Sequence, residues 1–329
     1  MKHLHLLIPG LFPPQDIAPE VCAGLHLPAL GRLLARGRKQ AFPAKRLEDW
    51  LCDSFGVHSV APARAASDGL DASEGYWLCA DPVYLQVQHA QVLLLPEVVP
   101  GQDEAAALCA MLNAHFSGMG MVFHAPHPNR WYLQLEAEPA MATVPLREVA
   151  WRDAKFHQPQ GGDALRWQAA VNEAQMLLHD HPLNKALEGR GGLAINSLWL
   201  WGGGHAEKVA RAFDAVGGDS ELAGAFARTA GISRTKSLRD MLDGAGERGL
   251  WACEDLSAAQ QRGDYFLWRE RVQKIEQECT LLLHSLQVGR LQRLTLEVLQ
   301  ENASHSFDLN RISAWKLWLA PRPFIRYAV

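Results

Sequence analysis

The 329-residue chain reads as an α/β core interrupted by a smaller α+β subdomain. Three observations lead to that class. Residues 4–8 form a short apolar run closed by Pro9-Gly10, the pattern of a buried strand in an α/β sheet. Residues 75–150 carry a β-β-α-β-β succession sufficient for a unit of its own. In the last third, an amphipathic helix and an alternating strand bring the α/β texture back.

Each element follows from its residues. In 30–38, Leu30, Leu33 and Leu34 share one helical face, and Gly37 is placed to cap the helix. Residues 61–75 are rich in Ala, Pro, Ser, Asp and Gly and read as a linker or long loop. Strands are expected at 76–79, 91–95, 121–124 and 130–135. Between them, 104–116 set Leu108, Met111, Leu112 and His115 at helical spacing, with Asp103 and Glu104 complementing the helix dipole at its start. A helix at 164–180 aligns Trp167, Val171, Ala174 and Leu178 and stops before Pro182. Residues 195–201 (INSLWLW) form a strand that runs into Gly202-Gly203-Gly204. In 266–286, Val272, Ile275, Cys279, Leu282 and Leu286 line a helix face, and Leu294, Leu296 and Val298 alternate as a strand does. The expected division is an α/β core of 1–70 and 160–329, with the insert at 75–155.

Composition removes several function classes. Apolar residues make up 48% and charged ones 21%, as in a folded globule and not a disordered chain. The 32 Lys and Arg against 36 Asp and Glu leave a net charge of −4, which supplies no general drive toward nucleic acid or an anionic membrane. Neither is expected as a partner. No apolar run reaches the roughly 18 residues of a membrane span, and the prolines of the first 20 residues do not suit a signal peptide. Six Cys without a CxxC pair read as reduced thiols of a cytoplasmic protein. Tryptophan is the oddity, 11 against 5 Tyr.

Local motifs give little chemistry. The triple glycine matches neither GxGxxG nor GxxxxGK[ST] and reads as a tight turn at a strand end. His3 and His5 share a strand face, His124 and His127 flank Ala-Pro, and His179 and His181 sit at a helix end. None has a carboxylate or Cys at ligand spacing, so no metal is expected from them. No GxSxG elbow is present, and Ser54, Ser197 and Thr229 read as ordinary hydroxyls. Trp199 and Trp201 alternate with Leu198 and Leu200, which suits a strand covered on both faces.

Taken in order, however, several segments resemble one family. LPALGRLLARG (27–37) looks like its "TPNLDRLAREG". Residues 105–135 look like its inserted domain with "NEHF" and "GVSYRH". GGDALRWQAAVNEAQMLLHDHPLN (161–184) followed by INSLWLWGGG (195–204) matches "HPVN … ANxIWLWGxG". The family is the archaeal-type cofactor-independent (2,3-bisphosphoglycerate-independent) phosphoglycerate mutases of the alkaline phosphatase superfamily. Closer still is a bacterial group with the same motifs, the RpfE-type regulatory or phosphoglycerate mutase-related proteins. The resemblance spans roughly residues 1–205. It implies an alkaline-phosphatase-like core, a central sheet flanked by helices, interrupted by the small insert.

The resemblance also implies two metal ions held by Asp and His around a Ser or Thr nucleophile. Here the pattern departs. Pro9 stands where the first metal-binding Asp belongs, and KRLEDWLCDSFGV (45–57) lacks a Ser at the nucleophile's place. In SAAQQRGD (257–264), Ser257 and Gln261 replace Asp and His of "DEAGHxGD", and no "DHPTP" follows the late strand. The expectation is therefore a regulatory or binding pseudoenzyme with no catalytic residue and no cofactor. Its candidate anion-binding residues are Arg130, at the place of the "YRH" Arg, with His127, His181 and Asn184; Trp199, Trp201 and Gly202 are motif landmarks. Its ligand would be a phosphorylated metabolite or a protein partner. The competing expectation is an active mutase or phosphatase with Mn or Zn on relocated ligands, which needs Asp49, Asp53, Asp255, Asp264, His305 and Asp308 to converge. A third treats Trp151, Trp315 and Trp318 as one interaction patch.

Overall fold

The computed structural model describes residues 1–328, and the chain divides into two units. The first joins Met1–Phe55 to the chain from Ala210 onward; the second is Gly56–Val209.

A seven-stranded sheet organises the first unit. In spatial order its strands are Arg38–Pro43, Ala303–Asn310, Arg293–Val298, His3–Leu7, Arg248–Ala252, Ala215–Gly218 and Arg234–Thr235. The apolar run expected at 4–8 is thus the middle strand. It pairs in parallel with Arg248–Ala252 on one side and Arg293–Val298 on the other. Two antiparallel strands, Ala303–Asn310 and Arg38–Pro43, extend one edge.

Side-chain alternation sorts the two faces. Leu4, Leu6, Leu294 and Leu296 are fully buried against Val272, Ile275, Cys279, Leu282 and Leu286 of the helix Tyr265–Val288. The helix Pro28–Arg36 adds Leu30, Leu33 and Leu34 to the same core. Its first turn is satisfied by Glu276, whose carboxylate accepts the N–H groups of Ala29 (2.6 Å) and Leu30 (2.8 Å). Gly37 caps this helix in an extended conformation and leads straight into Arg38–Pro43.

The second unit is built on one long strand, Tyr76–Gln88. It pairs antiparallel with Arg130–Leu135, with Gln91–Leu95 and, through 77–83, with Ser197–Gly204. Met121–His127 extends the sheet beyond Arg130–Leu135. The helices Gln102–His115 and Ala164–His179 cover it through Leu108, Leu112, Trp167, Ala174 and Leu178. The INSLWLW strand and both flanking helices therefore belong to this unit, which is longer than the 75–155 segment. Apolar alternation marked that strand as buried but carried no information on its partner.

Two local expectations change. Part of the loop expected at 61–75 is a helix, Ala61–Ser67, with Pro62 in its first turn and Ala61, Ala63 and Ala65 buried. Alanine favours helix even in a stretch that looks like a linker, and Pro is tolerated at a helix start. The triple glycine is not a turn but the end of Ser197–Gly204. A Cβ on Gly203 would lie 2.5 Å from the Tyr76 hydroxyl and 2.6 Å from the Leu78 side chain, so these glycines let two strands approach closely. Among the described residues no helix is long and apolar enough to cross a membrane.

Gly203→Val should destabilise the second unit by about 2 kcal/mol through overpacking. Urea denaturation followed by circular dichroism measures this, and an unchanged midpoint would contradict the close approach.

Candidate functional site

In an open parallel sheet, ligands bind beyond the carboxyl ends of the strands. In the first unit that edge consists of Pro9-Gly10 after the middle strand, Asp219-Ser220 after Ala215–Gly218, Cys253–Asp255 after Arg248–Ala252, and Gln300 after Arg293–Val298.

The Pro9-Gly10 turn is closely covered. Gly10 has φ +71°, and a Cβ there would lie 2.7 Å from Gln260 Oε1 and 2.8 Å from Ser257 Cα. The Trp268 indole donates to the Gly10 carbonyl (3.1 Å), and the amides of Gln260 and Gln300 donate to the Phe12 carbonyl at 3.4 and 3.1 Å.

Beside this turn lies an acidic cluster. Asp219 accepts the backbone N–H groups of Glu254 and Asp255, and the Ser220 hydroxyl donates to Glu254 (2.6 Å). Burial pushes the Asp219 carboxyl up, against the pull of the Glu254 N–H. Burial does the same to Glu278, which takes a hydrogen bond from the Cys253 thiol. The Cys253 thiol is itself held well above its ordinary value by burial, so it stays protonated and is no nucleophile at neutral pH. Both carboxyls sit in a desolvated place that disfavours their charged form.

This donor set does not fit two divalent cations. Pro9 offers no side-chain oxygen, Gln260 and Gln300 offer neutral amides turned to a carbonyl, and Asp219 and Glu254 are held by an N–H and a hydroxyl. Divalent centres need several convergent carboxylates or imidazoles. Among the described residues no three His, Cys, Asp or Glu are grouped as metal ligands would be.

The residues required by the relocated-ligand expectation are dispersed. Asp53 pairs with Lys45, Asp255 with Arg271 at 3.5 Å, and Asp264 caps the helix Tyr265–Val288 by accepting the Leu267 N–H. Asp49 is exposed. His305 and Asp308 lie three apart on one strand and so face opposite sides of the sheet.

On the sheet face opposite the leucine core, a polar row was missed by sequence reasoning. Its only signal was that His3 and His5 share a face. Thr295 donates to Asp308 (2.8 Å), so it accepts from His3 Nε2 (2.8 Å), which fixes that histidine's tautomer. Arg293 also pairs with Asp308, at 2.9 Å. His5 packs among His3, Trp50 and Phe213, and burial pushes it down to about 4. Burial, aided by Asp308, pushes Glu297 up to about 7.

In the second unit the candidate anion-binding residues are already engaged. Arg130 forms a bidentate pair with Asp68 (2.8 and 2.9 Å), and the Tyr132 hydroxyl donates to the same carboxylate. His127 is the register partner of Arg130 across the hairpin, and its Nδ1 faces the Asn129 N–H at 3.5 Å. His181 caps the helix Pro182–Gly189 by accepting the Leu183 N–H. Asn184 is buried and bridges Leu178 and Ile195 with three hydrogen bonds of 2.6–2.8 Å. The landmarks are equally occupied: the Trp199 indole donates to the Val144 carbonyl, and that of Trp201 to Asp81. Asp81 forms a buried bidentate pair with Arg64, whose guanidinium lies 5.4 Å from the Tyr132 ring and 5.5 Å from that of Trp201. Gly202 has φ +66° and packs against Val60.

No family model matches the chain. A probable 2,3-bisphosphoglycerate-independent phosphoglycerate mutase from Geobacter sulfurreducens is 33% identical over 70 residues, 21% of this chain and 18% of that protein. The chain thus matches less than a fifth of that relative's length. The PH0037 protein from Pyrococcus horikoshii superposes with a TM-score of 0.60 at 13% identity, over 94% of this chain and 87% of that one. A cofactor-independent phosphoglycerate mutase from Thermoplasma acidophilum gives 0.48 at 14% identity, over 94% and 90%. The fold is shared. It is the expected alkaline-phosphatase-like α/β core with a second unit set into it in sequence, and the chain is similar to phosphoglycerate-mutase-like proteins.

Two outcomes follow from these networks. Asp81→Ala leaves Arg64 buried without its partner and should cost about 3–5 kcal/mol, while the Arg64→Leu/Asp81→Leu pair should recover most of it; denaturation of both variants decides, and a double variant no more stable than Asp81→Ala would contradict the buried pair. Glu297 holds its proton more tightly folded than unfolded. Its contribution is therefore greatest below about pH 4.5 and is lost as pH rises through about 7. Glu297→Gln should gain on the wild type over that window, by on the order of 1–2 kcal/mol, as read from denaturation midpoints at pH 4.5 and 8. Parallel profiles would refute it.

Proposed function

We propose that the chain is a regulatory pseudoenzyme of the RpfE-type, phosphoglycerate mutase-related group, acting by binding and not by phosphoryl transfer. The observation that carries this reading is the carboxyl edge of the parallel sheet. Where the resembled enzymes need an Asp after the first strand, Pro9-Gly10 is packed against Ser257 and Gln260. Phosphoryl transfer depends on positioned charge to stabilise the transferring group, and neutral amides cannot replace two cations there. The segment matched to the nucleophile loop is instead the helix Leu47–Phe55, contributing Leu47, Trp50, Leu51 and Phe55 to the interior.

The ligand would be a phosphorylated metabolite or a protein partner, and the site of action the cytoplasm. In this reading Arg130, His181 and Asn184 serve the second unit's architecture, since their polar atoms are spent on Asp68, Leu183, Leu178 and Ile195.

Elemental analysis of the purified chain, with a coupled mutase assay on 3-phosphoglycerate in added Mn²⁺, tests the reading. Substoichiometric metal and no turnover are expected. Two equivalents of bound Mn or Zn accompanied by turnover would establish an active mutase instead.

A further inference from the structure

The net charge of −4 conceals a segregation of charge. Residues 21–47 contain Arg32, Arg36, Arg38, Lys39, Lys45 and Arg46 and no Asp or Glu. Residues 309–328 contain Arg311, Lys316, Arg322 and Arg326, again without an acid. The first unit folds these two stretches onto each other. Arg36 donates to the Ala314 carbonyl (2.6 Å), Lys39 donates to the Tyr327 carbonyl (3.1 Å), and a Cβ on Gly31 would meet Pro321 at 3.2 Å. The nearby acid on the helix Tyr265–Val288, Glu276, is taken up by the backbone of Ala29 and Leu30.

From this basic ground rises an apolar turn. After the short helix Arg311–Ala314 the chain turns through Trp315–Leu319, where Leu317 is 67% exposed and Trp318 77%. Ile312 and Trp315 are exposed beside them, and the Trp315 indole is anchored on the Gln287 carbonyl at 3.3 Å. Large apolar side chains gathered in one exposed turn mark an interaction surface, not scatter. Trp151, expected in the same patch, belongs to the other unit and is partly buried.

We propose that this turn docks the protein on an anionic lipid surface, with Leu317 and Trp318 entering the headgroup layer and Arg32, Arg311, Lys316 and Arg322 facing lipid phosphates. Charge and residue type select this occupant. Tryptophan favours the membrane interface, whereas Ile312, Leu317 and Leu319 have no stacking surface to offer a nucleic acid. Either signal alone would bind weakly; an apolar anchor together with a basic patch gives stable, reversible attachment. The overall acidity of the chain does not oppose it, because attraction to a charged surface decays within a Debye length, about 10 Å at 0.1 M salt.

Sedimentation with vesicles of phosphatidylcholine alone, or of phosphatidylcholine and phosphatidylglycerol at 3:1, tests the proposal. Wild type should bind the anionic vesicles and not the neutral ones, and lose binding as salt is raised. Leu317→Ser/Trp318→Ser, both at exposed positions, should weaken binding about tenfold or more, and Lys316→Glu/Arg322→Glu at least about fivefold per charge, with unchanged circular dichroism and thermal midpoint. Absence of binding to anionic vesicles at low salt would overturn the proposal, as would binding that survives Leu317→Ser/Trp318→Ser. A wild-type dimer that this variant converts to monomer would make the turn a protein interface instead, and tighter binding to duplex DNA than to vesicles would make it a nucleic-acid surface; each outcome overturns the lipid assignment.

Discussion

Parallel pairing of the strand His3–Leu7 is the constraint on which the first unit depends. Residues 3–7 hydrogen-bond on one side with residues 248–252 and on the other with residues 293–297, so the sheet cannot form until segments more than 240 residues apart in sequence are brought together. Loop closure over such distances is entropically costly, and the return comes from burying leucine on one face of every central strand. Leu4, Leu6, Leu294 and Leu296 supply it, with the 24-residue helix Tyr265–Val288 as the covering layer. Because parallel strands all end at the same edge, the same pairing gathers the loops carrying Gly10, Asp219, Glu254 and Gln300.

At that edge the side chains, more than the fold, set the chemistry. A fold of this kind brings loops together at strand ends, but what stands there decides what can happen. Asp219 and Glu278 are carboxyls that burial favours in the protonated form, and Cys253 is a thiol kept from ionising. Gly10 gives the turn its positive φ and lets Ser257 and Gln260 close over it. The other polar accumulation on the sheet is the hydrogen-bond chain of His3, Thr295 and Asp308, with His5 packed beside it among aromatic rings. The second unit places its charges differently. Arg64 with Asp81, and Arg130 with Asp68, are bidentate pairs capped by Trp201 and Tyr132, an arrangement that satisfies buried charge internally.

Surface and core divide the tryptophans accordingly. Trp77, Trp131 and Trp268 are fully buried, and Trp199 and Trp201 are nearly so with their indole N–H groups satisfied. Trp315 and Trp318 stand out in solvent on basic ground. The excess that composition alone could not explain therefore has two causes, packing within the sheets and an exposed turn. Net charge conceals a distribution in the same way, since a sum over the whole chain erases the acid-free stretches 21–47 and 309–328.

Local order was legible wherever residues act on their immediate neighbours. The strand at 4–8, the leucine face of 30–34, the helix begun by Asp103 and Glu104 and the helix face from Val272 to Leu286 follow from periodicity alone. The α/β class follows from their succession. Where an outcome depended on a distant partner, local pattern was silent or misleading. The triple glycine read as a turn because nothing nearby announces Tyr76 and Leu78 across the ladder. Ala61–Ser67 read as a loop because its stability comes from burial of Ala61, Ala63 and Ala65. Nothing near Arg130 announces its partner, because Asp68 lies 62 positions away. That Pro9 and not an acid follows the first strand was visible in the sequence by itself. That Gln260, Gln300 and Ser257 occupy its surroundings was decided only by tertiary structure, since hydrogen bonding and steric fit act through space and not along the chain.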